Sequence, residues 1–301
     1  MRTVVLAGGF AKRLWPITLD RPKPLLPVAG KPILDYIMDR YPLSDPPILS
    51  VNRRFTEAFS GWSRAKGRQV ELVVEETRSE EEKLGSVGAL AYVIDRLSLD
   101  DDLLVVGGDN LFDFDLGEFV NSFHGETLVA LYDLGDPARA RRRYGVALVE
   151  GGRVKGFQEK PDHPRSQLAS TACYVFPRQV LPLIRTFLAQ AEAGQDAPGY
   201  FLEWLRARKP IDAFVFGEGW FDVGGRSAYI EANLHYHGGR SWVHPRARLE
   251  GACVERSVVI GPCRIEGARL TGCVVDEDAQ ITGVDLRDAL VGRGSWLRGD
   301  D

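Results

Sequence analysis

The first residues of the chain combine a glycine turn with two well-placed cations. An apolar run, Thr3 to Ala7, ends at Gly8, and Arg13 and a proline-flanked lysine, Lys23, follow it. Glycines after a buried strand let backbone N–H groups approach a phosphate closely, because no Cβ atom stands in the way. An arginine supplies a planar fork for phosphate oxygens, and a lysine on a stiffened support supplies a point charge. The stretch therefore predicts a phosphate site at the carboxyl end of a first β-strand.

Asp109 is a candidate metal ligand. It follows an apolar strand candidate, Asp102–Val106, after two glycines. Mg²⁺ prefers hard oxygen ligands and keeps much of its water, so a carboxylate at a strand end facing phosphates suits it. Taken alone, an aspartate after two glycines is more often a turn residue, and that alternative stays open at this point.

The elements that must position these residues follow a regular order. Short apolar strands alternate with helical patterns through about residue 236. This order predicts an α/β fold with a Rossmann-like, mostly parallel sheet and helices on both of its faces. Ligands of such sheets bind beyond the carboxyl ends of the strands, where both Gly8 and Asp109 would lie.

The tail has a different pattern, because its apolar residues and glycines recur every 16 residues. The columns are Val243, Val259, Val275 and Val291; Leu249, Ile265, Ile281 and Leu297; Val254, Leu270 and Leu286; and Gly251, Gly267, Gly283 and Gly299. Such columns are typical of stacked core positions, so residues 237–301 are predicted to form a separate domain, a small β-solenoid. An acyltransferase site on this tail is the alternative, and His244 is the only histidine of its four coils, residues 239–301.

The N-terminal stretch resembles the sugar nucleotidyltransferases, whose signature runs L-A-G-G-x-G-x-R-L-x-P-x-T and then P-K-P-L-L-P-V-x-G-K-P. The match departs at Ala11 and Lys12, where the family usually has Gly and then Thr or Ser. The resemblance implies that a nucleoside triphosphate and a sugar 1-phosphate give a nucleotide sugar and pyrophosphate, with Mg²⁺ as cofactor. It also implies that residues 1–236 form the catalytic domain and that the tail is a left-handed β-helix.

Further segments match family motifs in the family's order. The implied nucleotide-binding residues are Leu6, Ala7, Gly8, Gly9, Glu75, Gly85, Ser86 and Gly88. The implied sugar-phosphate-binding residues are Asn110, Gly145, Glu159, Lys160 and Thr171, the metal ligands are Asp109 and Asp222, and the catalytic cations are Arg13 and Lys23. Two carboxylates from distant positions on one Mg²⁺ would clamp the α-phosphate and the sugar phosphate together.

The identity of the base is the open point of the resemblance. Where thymidylyl and uridylyl enzymes often present a glutamine, this chain has Glu75-Glu76. A glutamate can accept hydrogen bonds from guanine, whereas a glutamine can pair with both the donor and the acceptor of thymine or uracil. The family makes glucose 1-phosphate with dTTP or UTP the favoured pair, and mannose 1-phosphate with GTP is the rival. A catalytically silent subunit that senses nucleotide sugars is the alternative from another functional class.

Composition bounds the remaining expectations. The chain has 301 residues and a formal net charge of −4, which argues against general binding to nucleic acid or to an anionic membrane. A strand candidate begins at once, with no signal peptide, and no apolar run approaches ~20 residues, so a cytoplasmic protein is expected. The exposed end of a solenoid often mediates self-association, which predicts a homo-oligomer.

Overall fold

The computed structural model describes residues 1–191 and 196–299 and divides the chain into two compact units. The first unit joins Met1–Gly9 to Asp39–Trp220, and the second joins Phe10–Met38 to Phe221–Asp301. Each unit is therefore built from two separate stretches of the chain. The predicted domain division at residues 236 and 237 stays a prediction.

The helices and strands follow in chain order. The α-helices are α1 (Ile33–Asp39), α2 (Thr56–Lys66), α3 (Gly85–Leu97), α4 (Leu116–Asn121), α5 (Leu181–Gln190), α6 (Pro198–Arg206) and α7 (Arg226–Tyr236). The strands before the repeats are β1 (Arg2–Leu6), β2 (Pro27–Val28), β3 (Lys31–Pro32), β4 (Ile48–Asn52), β5 (Glu71–Glu75), β6 (Leu103–Gly107), β7 (Asn110–Phe112), β8 (Thr127–Asp133), β9 (Val146–Glu150), β10 (Arg153–Gln158), β11 (Leu168–Phe176), β12 (Ile211–Phe216) and β13 (Trp220–Asp222). The strands of the repeats are β14 (Trp242–Val243), β15 (Arg248–Glu250), β16 (Cys253–Glu255), β17 (Val258–Val259), β18 (Arg264–Glu266), β19 (Arg269–Thr271), β20 (Val274–Val275), β21 (Gln280–Thr282), β22 (Asp285–Arg287), β23 (Leu290–Val291) and β24 (Trp296–Arg298).

The first unit is built on one mixed sheet. Among the described residues its nine strands lie in the order β5-β4-β1-β6-β11-β8-β12-β10-β9. Strands β5, β4, β1 and β6 pair in parallel, while β11 and β10 run opposite to the other seven strands. Strands β4 and β6 are buried at every position, as their continuous apolar runs require in the middle of a covered sheet. The predicted α/β fold with a mostly parallel sheet is confirmed.

Two glycines bring the end of β6 close to the end of β1. The N–H of Gly108 donates to the carbonyl oxygen of Leu6 at 2.8 Å. A Cβ atom added to Gly108 would lie 3.0 Å from that oxygen and 3.3 Å from the Ala7 Cβ, which is tighter than most real contacts. The small residue therefore lets the chain that leads to Asp109 pass close to the end of β1.

The second unit contains the predicted β-helix. Strands β14 to β24 form three parallel ladders, and each strand pairs with the strand one coil later. The three apolar columns predicted from the sequence align in register, as Leu249, Ile265, Ile281 and Leu297 illustrate. Backbone conformation explains why glycine recurs in the repeat. Gly251 (φ 60°) and its equivalents Gly267 and Gly283 occupy the left-handed region, which favours glycine.

The helices of the described residues can be compared with the length and polarity that a membrane span requires. Within the described ranges, every helix is too short or too polar to span a bilayer.

The β-helix core provides a test of the repeat. Ile265 is fully buried in the column where Leu249, at the first coil, is 38% exposed. Ile265→Ala should lower the free energy of unfolding by about 2–5 kcal/mol, because it leaves a cavity between stacked coils. Leu249→Ala should cost at most about 1 kcal/mol. Urea unfolding followed by tryptophan fluorescence measures both, and equal losses would contradict the stacked arrangement.

Candidate active site

The glycine turn after β1 packs against a buried carboxylate. A Cβ atom added to Gly8 would lie 2.7 Å from Oε1 of Glu75, so only glycine fits at this position. The Ser50 hydroxyl donates to the same Oε1 at 2.7 Å, and the Asn52 side-chain amide donates to the Gly8 carbonyl oxygen at 2.9 Å. Strands β4 and β5 thus hold the turn in place from one side. Gly9, the next residue of the turn, is exposed.

This environment changes the chemistry of Glu75. Its side chain is only 3% exposed. Burial raises the pKa of the carboxyl, and the hydrogen bond from Ser50 opposes part of that rise. The carboxylate faces Ser50 and Gly8 inside the protein and packs against the glycine turn. Its role in binding the nucleotide stays a prediction.

Helix α3 carries the second part of the predicted nucleotide site. It begins at Gly85. Gly85 has φ 71°, and a Cβ atom there would lie 2.0 Å from Oδ2 of Asp196. The Val87 N–H donates to the Asp196 backbone carbonyl oxygen at 3.3 Å. A carboxylate at a helix N-terminus is favoured by the helix dipole, and Ser86 is exposed beside it.

Asp109 lies at the end of β6 with its neighbour Asn110 turned toward it. The Asn110 Nδ2 donates to Asp109 Oδ1 at 2.9 Å, and the Trp220 indole N–H donates to Asn110 Oδ1 at 2.9 Å. Among the described residues no three Asp, Glu, His or Cys side chains gather as a ready-made metal cage. A site with few carboxylates fits Mg²⁺, because this ion usually takes one or two carboxylates together with water and substrate phosphates.

The predicted sugar end of the site is built around Glu159. Its Oε2 would lie 2.7 Å from a Cβ atom on Gly145 and 1.9 Å from one on Gly199, and the Phe157 ring touches both of these positions. Burial raises the pKa of the Glu159 carboxyl, and the Lys160 ammonium, 3.5 Å away, opposes the rise. Lys160 itself has φ 43°, a left-handed conformation that is uncommon for a residue with a Cβ atom.

Thr171, the weakest of the predicted sugar contacts, faces the sheet. Its hydroxyl donates to the Ala130 backbone carbonyl oxygen at 3.0 Å, and the residue is 1% exposed. The structure therefore gives its hydroxyl a backbone partner inside the sheet. Its role in binding sugar stays a prediction.

Two predicted residues meet in the second unit. Nη2 of Arg13 and Oδ2 of Asp222 would lie 3.7 Å and 3.5 Å from the same point, a Cβ atom added to Gly224. These two residues are distant in sequence, yet their guanidinium and carboxylate groups border one glycine. A candidate phosphate-binding cation and a candidate metal ligand therefore lie side by side.

Lys23 begins a short 3-10 helix, Lys23–Leu25, in a loop that the rest of the second unit supports. Two residues earlier, Arg21 pairs with Asp276 at 3.3 Å and with Glu277 at 3.2 Å, both of which lie in the β-helix. On the far side of Lys23, the Ala29 N–H donates to the Asn233 amide oxygen of α7 at 2.9 Å. The loop that carries the predicted catalytic lysine is thus held on both sides by later parts of the chain.

The predicted residues separate into groups. Within the first unit the structure brings together Gly8 with Glu75, Asp109 with Asn110, and Gly145 with Glu159 and Lys160. Within the second unit it brings Arg13 beside Asp222. Sequence reasoning missed Asp196 and Gly199, which pack on predicted site residues from far along the chain. The predicted metal ligands belong to different units, Asp109 to the first and Asp222 to the second.

Known proteins share this fold. A solved structure from Bacillus anthracis, assigned as a glucose-1-phosphate thymidylyltransferase and containing sucrose, superposes with a TM-score of 0.66 at 23% sequence identity and covers 78% of this chain and 94% of its own. The fold is that of the nucleotidyltransferases. The family model described as nucleotidyl transferase matches residues 2–238, so the chain belongs to this family of enzymes. The resemblance seen in the sequence is confirmed.

Two relatives extend over most of the chain. The mannose-1-phosphate guanylyltransferase of Mycobacterium tuberculosis is 30% identical and covers 92% of this chain and 80% of its own length. The glucose-1-phosphate thymidylyltransferase of Streptomyces antibioticus is 29% identical and covers 97% of this chain and 81% of its own length. The alignment with an archaeal relative spans only 62% of that protein. Relatives with different bases and sugars are therefore about equally similar to this chain.

The buried Glu75 gives a pH-dependent stability. Its folded pKa is raised, so the stability linked to its protonated form is present below its usual pKa and lost as pH rises through the raised value. Glu75→Gln keeps an acceptor for Ser50 but carries no charge. We expect the free energy of unfolding of Glu75→Gln to exceed that of the wild type at pH 7. The difference should be about 1.4 kcal/mol for each tenfold increase in the proton affinity of Glu75 on folding, and it should vanish near pH 4.

Urea unfolding between pH 4 and 8 measures this difference. Glu76→Gln, on the exposed neighbouring residue, is the matched control and should show no such growth with pH. A Glu75→Gln protein that is less stable than the wild type at pH 7 would contradict the raised pKa of Glu75 in the folded protein.

Proposed function

We propose that the protein transfers a nucleotidyl group from a nucleoside triphosphate to a hexose 1-phosphate and releases pyrophosphate. An oxygen of the sugar phosphate attacks the α-phosphorus, and the bond between the α-phosphorus and the bridging oxygen to the β-phosphate breaks. That attacking oxygen is already anionic near neutral pH, so no general base is required. The observation that carries the proposal is the meeting of Arg13 and Asp222 at Gly224, because it pairs a cation for phosphates with a carboxylate suited to Mg²⁺.

The main obstacle to this reaction is repulsion between two polyanions. Two unit charges about 4 Å apart repel by roughly 4 kcal/mol at an effective dielectric of 20. Arg13 and Lys23 would offset the charge of the triphosphate and of the departing pyrophosphate, and Lys160 would hold the sugar phosphate in line. Asp109 and Asp222 are each a predicted ligand of Mg²⁺, and the ion would supply further positive charge at the phosphates. Holding the triphosphate and the sugar phosphate in line then contributes much of the rate acceleration.

For the nucleotide we propose dTTP or UTP. Glu75 and Glu76 are the sequence features that favour guanine, because a carboxylate could accept from guanine donors. In the structure the Glu75 carboxylate is buried, accepts from Ser50 and packs on Gly8. A guanine-reading role would require it to leave these partners, so its placement supports the pyrimidine alternative.

For the acceptor we propose glucose 1-phosphate, bound at the Glu159 end of the first unit. A carboxylate accepts hydrogen bonds from sugar hydroxyls, and the neighbouring Lys160 ammonium offers a charge for the phosphate. Because Gly145 and Gly199 have no Cβ atoms, there is room for the Glu159 carboxylate between them. This pairing of acceptor and cation suits a ligand that is a polyol at one end and a phosphate at the other.

We further propose that the enzyme works in the cytoplasm, where its nucleotides are made, and as a homo-oligomer. Trp296 on β24 is 74% exposed, the largest exposure among the big apolar side chains of the described residues. An exposed apolar side chain of this size is typical of surfaces at which protein molecules associate.

The central test is an activity grid with Mg²⁺, in which each common nucleoside triphosphate meets glucose, mannose and amino-sugar 1-phosphates and pyrophosphate release is recorded. We expect the highest kcat/KM with dTTP or UTP and glucose 1-phosphate. Asp109→Ala should lower turnover at least about 100-fold, while the free energy of unfolding changes by less than about 1 kcal/mol. Asp101→Ala, at an exposed position before the same strand, is the control. Silence with every pair would favour a sensing subunit, and near-normal turnover of Asp109→Ala would refute its metal role.

The sugar end has its own test at Gly199. A Cβ atom there would lie 1.9 Å from Glu159 Oε2, so Gly199→Ala must displace the carboxylate. We expect KM for the sugar 1-phosphate to rise about tenfold or more, with KM for the nucleotide nearly unchanged, because about 1.4 kcal/mol of binding corresponds to that factor. Gly61→Ala, in α2 with open space at its Cβ position, is the matched control and should be neutral or slightly stabilising. Equal effects on both KM values would place Glu159 outside the sugar site.

A further inference from the structure

A chain of three side chains leads from the interior of the first unit to Asp109. The Trp220 indole N–H donates to Asn110 Oδ1 at 2.9 Å, and Asn110 Nδ2 donates to Asp109 Oδ1 at 2.9 Å. Trp220 is 8% exposed and Asn110 is 4% exposed. The hydrogen bond from Trp220 is therefore shielded from water, which makes it costly to break, and the bond to Asp109 is partly buried.

The direction of the two bonds is fixed by chemistry. An indole nitrogen can only donate, so the amide of Asn110 must turn its oxygen toward Trp220. Its NH₂ group then faces Asp109, whose carboxylate can only accept when ionised. A flipped amide would set two donors against each other at Trp220 and two acceptors against each other at Asp109. Trp220 thereby selects the one amide orientation that can hold the carboxylate.

The surrounding residues keep this chain in position. The Trp220 ring packs between Tyr144 and Tyr132, with ring centroids 4.9 Å and 5.5 Å away. A Cβ atom added to Gly107 would lie 2.9 Å from Asn110 Nδ2, so the glycine at the end of β6 makes room for the amide. The ring can neither slide nor tilt without disturbing these neighbours.

We propose that Trp220 and Asn110 are positioning residues that aim the Asp109 carboxylate at a divalent cation. The inference rests on the proposed function, in which Asp109 is a Mg²⁺ ligand. A hydrogen bond to Oδ1 restricts rotation of the carboxylate and leaves its orientation fixed before the ion arrives, as outer partners of metal ligands commonly do. It also gives Asn110 a role different from the sugar-phosphate contact predicted from the sequence.

The test compares two identical substitutions. Trp220→Phe keeps an aromatic ring but removes the indole N–H. Trp204→Phe removes an indole N–H that donates to Gln190 Oε1 at 3.1 Å, away from Asp109, and serves as the matched control. Mn²⁺ binding to the full-length protein is followed by water proton relaxation, and the Mg²⁺ concentration for half-maximal pyrophosphate release is measured separately.

We expect Trp220→Phe to weaken Mn²⁺ binding about tenfold or more and to raise the half-saturating Mg²⁺ concentration similarly. KM for the nucleotide at saturating Mg²⁺ should stay within about twofold, because the substitution acts on the metal ligand alone. A general loss of structure would instead raise this KM together with the half-saturating Mg²⁺ concentration. Trp204→Phe should change none of them. If Trp220→Phe folds poorly by circular dichroism, Asn110→Ala takes its place, with the same expected result.

Two outcomes separate this inference from the proposed function. If Trp220→Phe binds Mn²⁺ as Trp204→Phe does, while Asp109→Ala abolishes binding, the positioning role is wrong and the metal ligand stands. If Asp109→Ala also binds Mn²⁺ normally and turns over normally, the metal role of Asp109 in the proposed function fails as well.

Discussion

The contact between a carboxylate and the bare Cα of a glycine organises the predicted binding residues of the first unit. The pairs are Gly8 with Glu75, Gly85 with Asp196, and both Gly145 and Gly199 with Glu159. Burying a carboxylate is costly unless hydrogen bonds or a cation compensate, and each of these contacts needs a glycine because any side chain would occupy the place of the carboxylate oxygens. The glycines at these positions therefore leave room for their acidic neighbours, and a larger residue would displace the carboxylate oxygens.

This arrangement also affects the protonation of the buried acids. Burial raises the pKa of Glu75 and Glu159, so each holds its proton more tightly than an exposed glutamate does. The net charge of the whole chain, −4, offers no general attraction for anions. The proposed function therefore depends on local cations such as Arg13, Lys23 and Lys160 and not on the overall charge of the chain.

Much of the fold and part of the site could be predicted from the sequence. The 16-residue period fixes which side chains stack, so the columns containing Ile265 and Val259 align as expected. The burial of Glu75 is a feature that strand alternation could have indicated, because the residue lies two positions after the buried Val73 on the same face of β5. Gly199 and the hydrogen bond from Trp220 to Asn110 depend on contacts between residues far apart in the chain, and no local pattern encodes them.

The loop that carries Lys23 has a consequence for how the molecule is made. Arg21 is held by Asp276 and Glu277, Ala29 by Asn233, and Gly30 packs on the Trp242 ring. A ribosome translates all of these partners some two hundred residues after the loop itself. The nascent protein therefore carries Lys23 on a segment whose later partners have not yet been made, and a polypeptide that stops before the coils would lack these contacts.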